Sequence, residues 1–301
     1  MKLSVFLCSY RAMYDAGKST RQVVDAAAAD GFGAVEPFPN VDLDTVSQAC
    51  ALGSHVRDLG MEISCFSTNC ELLGAGSSAA LAQMKQRIDM AAAMGSPLFH
   101  HTIHPQLTHP RAGEPSFIQA LHEVVPMLRE LCVYAADRGV LCVYEDQGVY
   151  FNGVSGVSRL IEALDGVPFG LVADVGNVFF VDETPEDFIG AFSNHIVHVH
   201  CKDYLKKSGA SAAPGRGWYL TRRGDYLRDT IVGHGAVNYM AVMRILNQIG
   251  YDGWYSLENA AMESASLAIP MARDNLRCYY EDARCPNTCT PQLDGVIPRF
   301  D

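Results

Sequence analysis

The stretch Gly139-Val140-Leu141-Cys142-Val143-Tyr144-Glu145 is the clearest guide to the fold. A glycine stops the helical pattern before it, an apolar run of strand length follows, and the run ends on a carboxylate. A short run that is almost wholly apolar is typical of a strand buried on both faces, as in a parallel sheet. The stretch therefore predicts one strand of an α/β fold.

The same unit recurs along the chain, because short apolar runs alternate with longer segments of helical period. Eight runs predict strands: Leu3–Cys8, Ala34–Pro37, Glu62–Ser67, Leu98–Thr102, Leu141–Glu145, Phe169–Asp174, Ile196–His200 and Tyr255–Glu258. Eight strands fit a closed (β/α)8 TIM barrel better than an open sheet. No GxGxxG motif follows the first strand, so we do not expect a dinucleotide site.

The chain length of 301 residues fits a single barrel domain. We predict the barrel over residues 1–285 and a C-terminal extension over 286–301, where prolines are frequent and periodicity is absent. One connection is irregular, a long loop at 202–238 after the seventh strand, and loops of that length are usually functional. Within it, Gly233-His234-Gly235 indicates a turn rather than a phosphate cradle, since no GK[ST] sequence accompanies it.

The composition argues against several classes of partner. The chain has 34 Asp+Glu against 23 Lys+Arg, a formal charge of −11, which disfavours nucleic-acid binding. No apolar segment is long enough to span a bilayer, so we expect no membrane partner. The ten cysteines lie mostly in apolar runs, as reduced thiols do, which favours a cytoplasmic protein. The acidic surface and the proline-rich end lead us to expect a homo-oligomer.

Polar side chains stand at the carboxyl ends of the predicted strands, where a barrel of this kind carries its site. Four of them end strands five to eight in order: Glu145, Asp174, His200 and Glu258. One imidazole with three carboxylates suits a divalent ion. We therefore predict one metal ion bound by these four residues, with Mn²⁺ as the first choice and Mg²⁺, Co²⁺ or Zn²⁺ as alternatives.

Several of these strand ends belong to motifs that we can relate to a known family. They are Val143-Tyr144-Glu145-Asp146, Ala173-Asp174-Val175-Gly176-Asn177, His198-Val199-His200-Cys201-Lys202-Asp203, Gly233-His234-Gly235-Ala236-Val237 and Gly253-Trp254-Tyr255-Ser256-Leu257-Glu258. In this order and spacing they resemble the xylose-isomerase-like superfamily of sugar isomerases and epimerases. The segment Ala34-Val35-Glu36-Pro37 also looks like that superfamily's second-strand motif.

The resemblance implies roles for individual residues. Glu145, Asp174, His200 and Glu258 would be the metal ligands, and Glu145 and Glu258 would also act as catalytic carboxylates on opposite faces of a sugar. Glu36 is expected to bind substrate. Ketose epimerases carry a substrate-binding His three residues after the Asp ligand, and Asn177 stands at that position here. We therefore expect Asn177 to contact the substrate.

Further residues near the strand ends are candidates for the site. His100 and His101 are adjacent, so strand alternation sends only one inward, and we favour His101 as a catalytic residue. Lys202 either contacts a sugar hydroxyl or pairs with a neighbouring ligand carboxylate. Basic residues outweigh acidic ones between 206 and 228, which suggests that Arg222 and Arg223 hold a substrate anion such as a phosphate, unless the loop is simply solvated.

Taken together, these features predict a metal-dependent isomerase or epimerase acting on a sugar or sugar phosphate. Removing a proton beside a carbonyl requires a metal to stabilise the enediolate and a carboxylate within about 3 Å of the proton. A lyase on the same scaffold is the alternative, either an inosose-type dehydratase or the catalytic subunit of a C-glycoside deglycosidase, which would need a small partner subunit. The third possibility is a sugar-binding barrel without catalysis.

Overall fold

The computed structural model describes residues 1–107 and 113–284, and the predicted extension over 286–301 lies outside the described residues. The described strands are β1 (Leu3–Phe6), β2 (Ala34–Glu36), β3 (Glu62–Ile63), β4 (Phe66–Thr68), β5 (Leu98–His101), β6 (Leu141–Glu145), β7 (Gly170–Asp174), β8 (Ile196–Cys201), β9 (Asp203–Lys207), β10 (Tyr219–Leu220), β11 (Tyr226–Thr230) and β12 (Tyr255–Leu257).

Nine of these strands form one parallel sheet that is nearly closed into a barrel, in the order β3-β2-β1-β12-β8-β7-β6-β5-β4. β3 and β4 are consecutive parts of one predicted strand. Ser64 N donates to Val35 O at the end of β2, whereas β4 pairs with β5 from Phe66 onward. The segment thus changes partner midway and joins the two edges of the sheet, which confirms the predicted eight-stranded TIM barrel with its third strand divided.

Helices surround the barrel and alternate with its strands. The described helices are α1 (Arg11–Asp15), α2 (Thr20–Ala29), α3 (Val46–Asp58), α4 (Ser77–Met94), α5 (Phe117–Ala136), α6 (Gly153–Ala163), α7 (Pro185–Phe192), α8 (Tyr239–Gln248) and α9 (Ala265–Arg284), with short 3₁₀ turns at Leu7–Tyr10 and Asn177–Val181. Capping boxes begin α2, α3 and α5, in which a Ser or Thr side chain and a Gln three residues later satisfy each other's backbone N–H groups. No described helix has the length and apolar character needed to cross a membrane.

Side-chain alternation decides which residues face the barrel axis. Val143 and Val172 pack with Cys65 in a small inner cluster, separate from the large core between the barrel and its helices. Because side chains two residues apart on a strand share a face, Glu145 and Asp174 follow Val143 and Val172 toward the interior. The apolar runs therefore place the strand-end carboxylates on the axis.

The predicted long loop after the seventh barrel strand contains regular structure. β9, β11 and β10 form a small antiparallel sheet, so the segment is a folded insertion rather than an irregular loop. Asp203 closes it: one carboxylate oxygen accepts from Gly233 N and Gly235 N, and the other accepts from Val237 N. The turn at Gly233, whose φ is +93°, agrees with the predicted positive φ.

Gly235 lies so close to Asp203 that a larger residue does not fit without movement. A methyl group there would come within 2.1 Å of Asp203 Oδ1 and 2.6 Å of Tyr204 O. We expect Gly235→Ala to lower the free energy of unfolding by about 1–3 kcal/mol, the usual cost of overpacking. Thermal or urea unfolding measures this loss.

Gly190→Ala is the matched control, because a methyl group at Gly190 meets no heavy atom of the described residues within 4 Å, apart from its own helix. Alanine within helix α7 should leave stability unchanged or raise it by roughly 0.5–1 kcal/mol. Equal losses in both variants would contradict a special role for the contact between Gly235 and Asp203.

Candidate metal centre

A cavity of about 870 Å³ opens at the carboxyl ends of the barrel strands. Part of its lining comes from the segment after β1, and part comes from residues 259–265 after the neighbouring strand β12. The lining also includes Ser67, His100, Glu145 and Glu258. The cavity therefore occupies the end of the barrel where this fold carries its sites.

Four residues from four different strand ends converge beneath this cavity. Glu145, Asp174, His200 and Glu258 each offer one ligand atom, and these atoms all lie within 4.8 Å of one another. His200 Nδ1 lies 2.6 Å from Glu145 Oε1 and 3.5 Å from Glu258 Oε2. The structure thus brings together the full set that the sequence analysis predicted as metal ligands.

The surroundings of Asp174 fit a bound divalent cation. Its Oδ1 accepts from Gly176 N and Asn177 N, whereas its buried Oδ2 has no hydrogen-bond partner among residues 1–107 and 113–284. Burial and the nearby charge of Glu145 raise the pKa of Asp174 well above its ordinary value. A cation among these carboxylates would relieve that cost, and oxygen atoms with one imidazole nitrogen suit such an ion.

Glu36 supports the cluster from below instead of facing the cavity. It is fully buried, and its oxygens accept hydrogen bonds from Ser67, Ser256, His198 and His200. His200 Nε2 is 2.9 Å from Glu36 Oε1, so Nδ1 is the ring nitrogen that faces the cluster. Glu36 is therefore placed to orient His200, and its predicted contact with a substrate stays a prediction.

The ionised form of the Glu36 carboxyl group is strongly favoured by its neighbours. Burial alone would raise its pKa, but the positive charges of His200 and His198 and their hydrogen bonds hold the pKa of Glu36 well below its usual range. A carboxylate that accepts the far N–H of a ligand histidine fixes the ring and its tautomer. The orientation of His200 thus depends on an ionised Glu36.

We expect Glu36→Gln to weaken divalent-metal binding by about 10–100-fold, the range for loss of a partner behind a metal ligand. The amide keeps the size of the side chain but removes its charge and half of its accepting capacity. Competition with a fluorescent chelator for Mn²⁺ measures the change. Glu62→Gln, an exposed carboxylate at the start of β3, is the control, and an unchanged affinity in Glu36→Gln would exclude the positioning role.

His100, rather than His101, reaches the cavity. His100 lies on the lining, with Nδ1 3.2 Å from Ser67 Oγ and with Nε2 buried and unpartnered in the described chain. His101 bonds the Thr102 carbonyl and packs its ring against Phe99 and Tyr144. Burial lowers the pKa of His101 to about 4, so its ring is neutral at pH 7. His100 therefore occupies the position at the cavity that the sequence analysis expected for His101.

Lys202 and Asn177 contact candidate metal ligands. Lys202 Nζ lies 2.6 Å from Glu258 Oε1, the ion pair that was one of the two predicted contacts, and its contact with a sugar hydroxyl stays a prediction. Asn177 is buried, donates its backbone N–H to Asp174, and takes a hydrogen bond from Tyr204. Neither residue is among the described ones that line the cavity.

Arg222 and Arg223 also lie away from the cavity lining that the described residues form. One guanidinium nitrogen of Arg222 donates to Val149 O, and the backbone N–H of Arg223 donates to Asp182. These contacts attach the inserted sheet to neighbouring loops. Their predicted role in holding a substrate anion has no support from this geometry and stays a prediction.

Known proteins resemble this chain in sequence and in fold. A family model described as xylose isomerase-like TIM barrel matches residues 24–281. The inosose dehydratase of Clostridium botulinum (strain Alaska E43 / Type E3) is 26% identical over 147 residues, which is 48% of this chain and 48% of that protein. The chain therefore spans about half the length of this curated relative in the match.

Two solved structures have the same fold at low sequence identity. A D-tagatose 3-epimerase-like protein gives a TM-score of 0.70 at 18% identity over 94% of this chain and 99% of that chain. A xylose isomerase-like TIM barrel protein from Mycobacterium smegmatis in complex with magnesium gives 0.67 at 17% identity over 87% and 89%. Since the family model spans most of the described barrel, the chain belongs to the xylose isomerase-like TIM barrel family.

Proposed function

We propose that the protein is a divalent-metal-dependent sugar isomerase or epimerase that abstracts a proton from a carbon beside a carbonyl group. One observation carries this proposal: Glu145 and Glu258 belong to the candidate ligand cluster and also line the cavity. Their carboxylates can therefore serve both a cation and a substrate. A bound divalent ion would supply the positive charge that stabilises a developing enediolate.

The two carboxylates differ in their access to a substrate. The Glu258 side chain is 16% exposed, compared with 3% for Glu145. Lys202 holds one oxygen of Glu258 and so fixes the direction of its carboxylate. We assign Glu258 as the base that removes the proton, and Glu145, in its protonated form, as the acid that delivers a second proton to the opposite face in an epimerisation.

His100 completes the proposed machinery by binding a substrate oxygen. Its Nε2 is 3.8 Å from Glu145 Oε2, beyond hydrogen-bond distance, so that nitrogen is available to a substrate. Replacing His100 with Asn should lower turnover about tenfold, the upper range for one neutral hydrogen bond. His101→Asn is the matched neighbour and should keep wild-type turnover in the folded fraction. Steady-state kinetics on both variants shows whether His100 or His101 binds the substrate oxygen. A loss of turnover confined to His101→Asn would assign that role to His101.

We propose Mn²⁺ as the ion, with Mg²⁺, Co²⁺ or Zn²⁺ as alternatives. Three carboxylates and one imidazole form a ligand set for hard or borderline cations. The magnesium in the Mycobacterium smegmatis relative supports a hard divalent cation. Thiolates are absent from the ligand cluster found among the described residues.

A lyase is the second candidate, and the inosose dehydratase relatives favour it. Both reactions begin when a carboxylate removes a proton beside a carbonyl. In the lyase, the electron pair of that C–H bond forms a C=C bond, and a β C–O bond breaks with its electrons on the leaving oxygen. Protonation of that oxygen releases water. Asn177, at the position where ketose epimerases carry a histidine, also favours this candidate.

Incubation of metal-loaded protein with a panel of keto-sugars in D₂O tests the proposal. An isomerase or epimerase should give a deuterium-labelled isomer of otherwise unchanged composition, detected by NMR and mass spectrometry. A lyase should instead give a product lighter by one water, or release an aglycone. Absence of deuterium incorporation and of product across the panel, with metal content verified, would favour a sugar-binding barrel.

A further inference from the structure

The charged residues of the cavity are poorly suited to a charged substrate. The described lining contains four carboxylates, from Asp15, Glu145, Glu258 and Glu263, and one strong cation, Arg11. Arg11 Nε lies 3.0 Å from Asp15 Oδ1, so a carboxylate on the same lining already pairs with it. An added phosphate or carboxylate would therefore meet mainly negative charge.

A metal ion does not reverse this balance. The buried Asp174 adds a fifth carboxylate below the lining, and Lys202 adds a second strong cation that is bound to Glu258. Five carboxylates against two such cations leave an excess of three negative charges, and a dication offsets two of them. The count of strong charges thus stays negative, and both strong cations, Arg11 and Lys202, already pair with carboxylates.

The backbone groups that most resemble an anion cradle are occupied by the protein itself. Successive N–H groups in a glycine-rich turn can bind a phosphate. In the turn Gly233-His234-Gly235, however, Gly233 N and Gly235 N donate to Asp203 at 2.9 and 2.8 Å. The Asp203 carboxylate takes the place that a phosphate would fill, so this turn is unavailable to a substrate.

Neutral hydrogen-bonding groups are available instead. Gln147 Oε1 and Asn259 Oδ1 are buried and have no hydrogen-bond partner in the described part of the chain, and both residues line the cavity. An unpaired buried amide oxygen costs free energy unless a ligand satisfies it. A hydroxyl group is a neutral donor that can do so without adding negative charge.

We infer that the cavity takes an uncharged polyhydroxylated substrate, a free keto-sugar or its glycoside without phosphate or carboxylate, whose hydroxyl groups are bound by the amides of Gln147 and Asn259. The inference rests on the proposed function, because it concerns the same site. It selects the sugar over the sugar phosphate.

Equilibrium binding tests the substrate class without requiring turnover. Titration calorimetry of the Mn²⁺-loaded protein should show tighter binding of a hexitol panel than of the matching hexitol phosphates, by about tenfold or more. Gln147→Leu and Asn259→Leu should each weaken hexitol binding by up to about tenfold, the scale of one hydrogen bond. Asn247→Leu, an exposed amide on helix α8, should leave it unchanged.

The outcomes separate the inference from the function. Tighter binding of the phosphates would overturn the inference, whatever the reaction is. Hexitol binding that is unaffected in both leucine variants would overturn the assignment of Gln147 and Asn259. Preferential hexitol binding that depends on the two amides, without proton exchange in any keto-sugar, would uphold the inference and refute the proposed catalysis.

Discussion

Glu258→Gln, loaded with metal, is expected to lose turnover by about 10² or more, the scale for removal of a general base. The amide keeps one carbonyl oxygen, which can either face the cluster or accept from Lys202, but it cannot take a proton. Deuterium incorporation into a keto-sugar should fall by the same factor, because both measurements depend on the same abstraction. Metal content must be verified in each sample, since the substitution also removes one charge from the ligand set.

Glu263→Gln provides the matched control, because Glu263 lines the same cavity but is not part of the ligand cluster. It should retain turnover close to that of the wild type. Full activity and full exchange in metal-loaded Glu258→Gln would remove Glu258 from proton transfer and leave Glu145 as the base.

His200→Ala is expected to abolish stoichiometric metal binding. Wild-type protein purified without chelator should carry about one divalent ion per chain, and the variant should keep almost none after dialysis. Loss of a direct ligand should weaken binding by more than the ~10–100-fold expected for a supporting residue such as Glu36. Elemental analysis gives the content, and the metal-dependent rise in melting temperature gives an independent measure of affinity.

His104→Ala is the control for this experiment, because His104 pairs with Glu71 outside the cluster. That variant should bind metal as the wild type does. Retention of one ion per chain in His200→Ala, together with an undiminished metal-dependent melting shift, would show that the ion binds elsewhere.

The barrel could be predicted from the sequence because its strands are buried on both faces and leave short apolar runs. The division of Glu62–Ser67 into two strands could not, since it follows from the need of one segment to pair with β2 and then with β5. The inserted sheet was also missed, because β9 and β11 pair across the Gly-rich and Ser-rich middle of the segment, and the third strand, Tyr219–Leu220, has only two residues.

The four candidate ligands were predictable because each directly ends or follows an apolar strand at the mouth of the barrel. The choice between His100 and His101 was not, because Leu98 and Phe99 before them are both apolar and conceal which face is inward. In the structure Leu98 packs against the inner cluster and Phe99 belongs to the outer core, which sends His100 inward.

The roles of Glu36 and of the neutral amides required tertiary contacts. Glu36 meets His200 across 164 residues of sequence, a distance over which no local pattern extends. Gln147 and Asn259 each lie within two residues of a ligand, and that proximity was the available signal. Charge counting along the sequence drew attention to Arg222 and Arg223 instead, because it does not show which side of an insertion faces the site.

Asp203, which closes the insertion by hydrogen bonds, affects which residues of this segment can be replaced. Its hydrogen bonds to the backbone at residues 233–237 bring the two ends of the insertion together next to His200. The entropy of closing a loop grows only slowly with its length, by about 0.6 kcal/mol per doubling. The exposed connection at 208–218, between β9 and β10, can therefore be lengthened, shortened or exchanged at small cost while the ligand strand keeps its position. The insertion is the natural place for a library of graft variants, or for evolution, to alter the outer surface without disturbing the ligands.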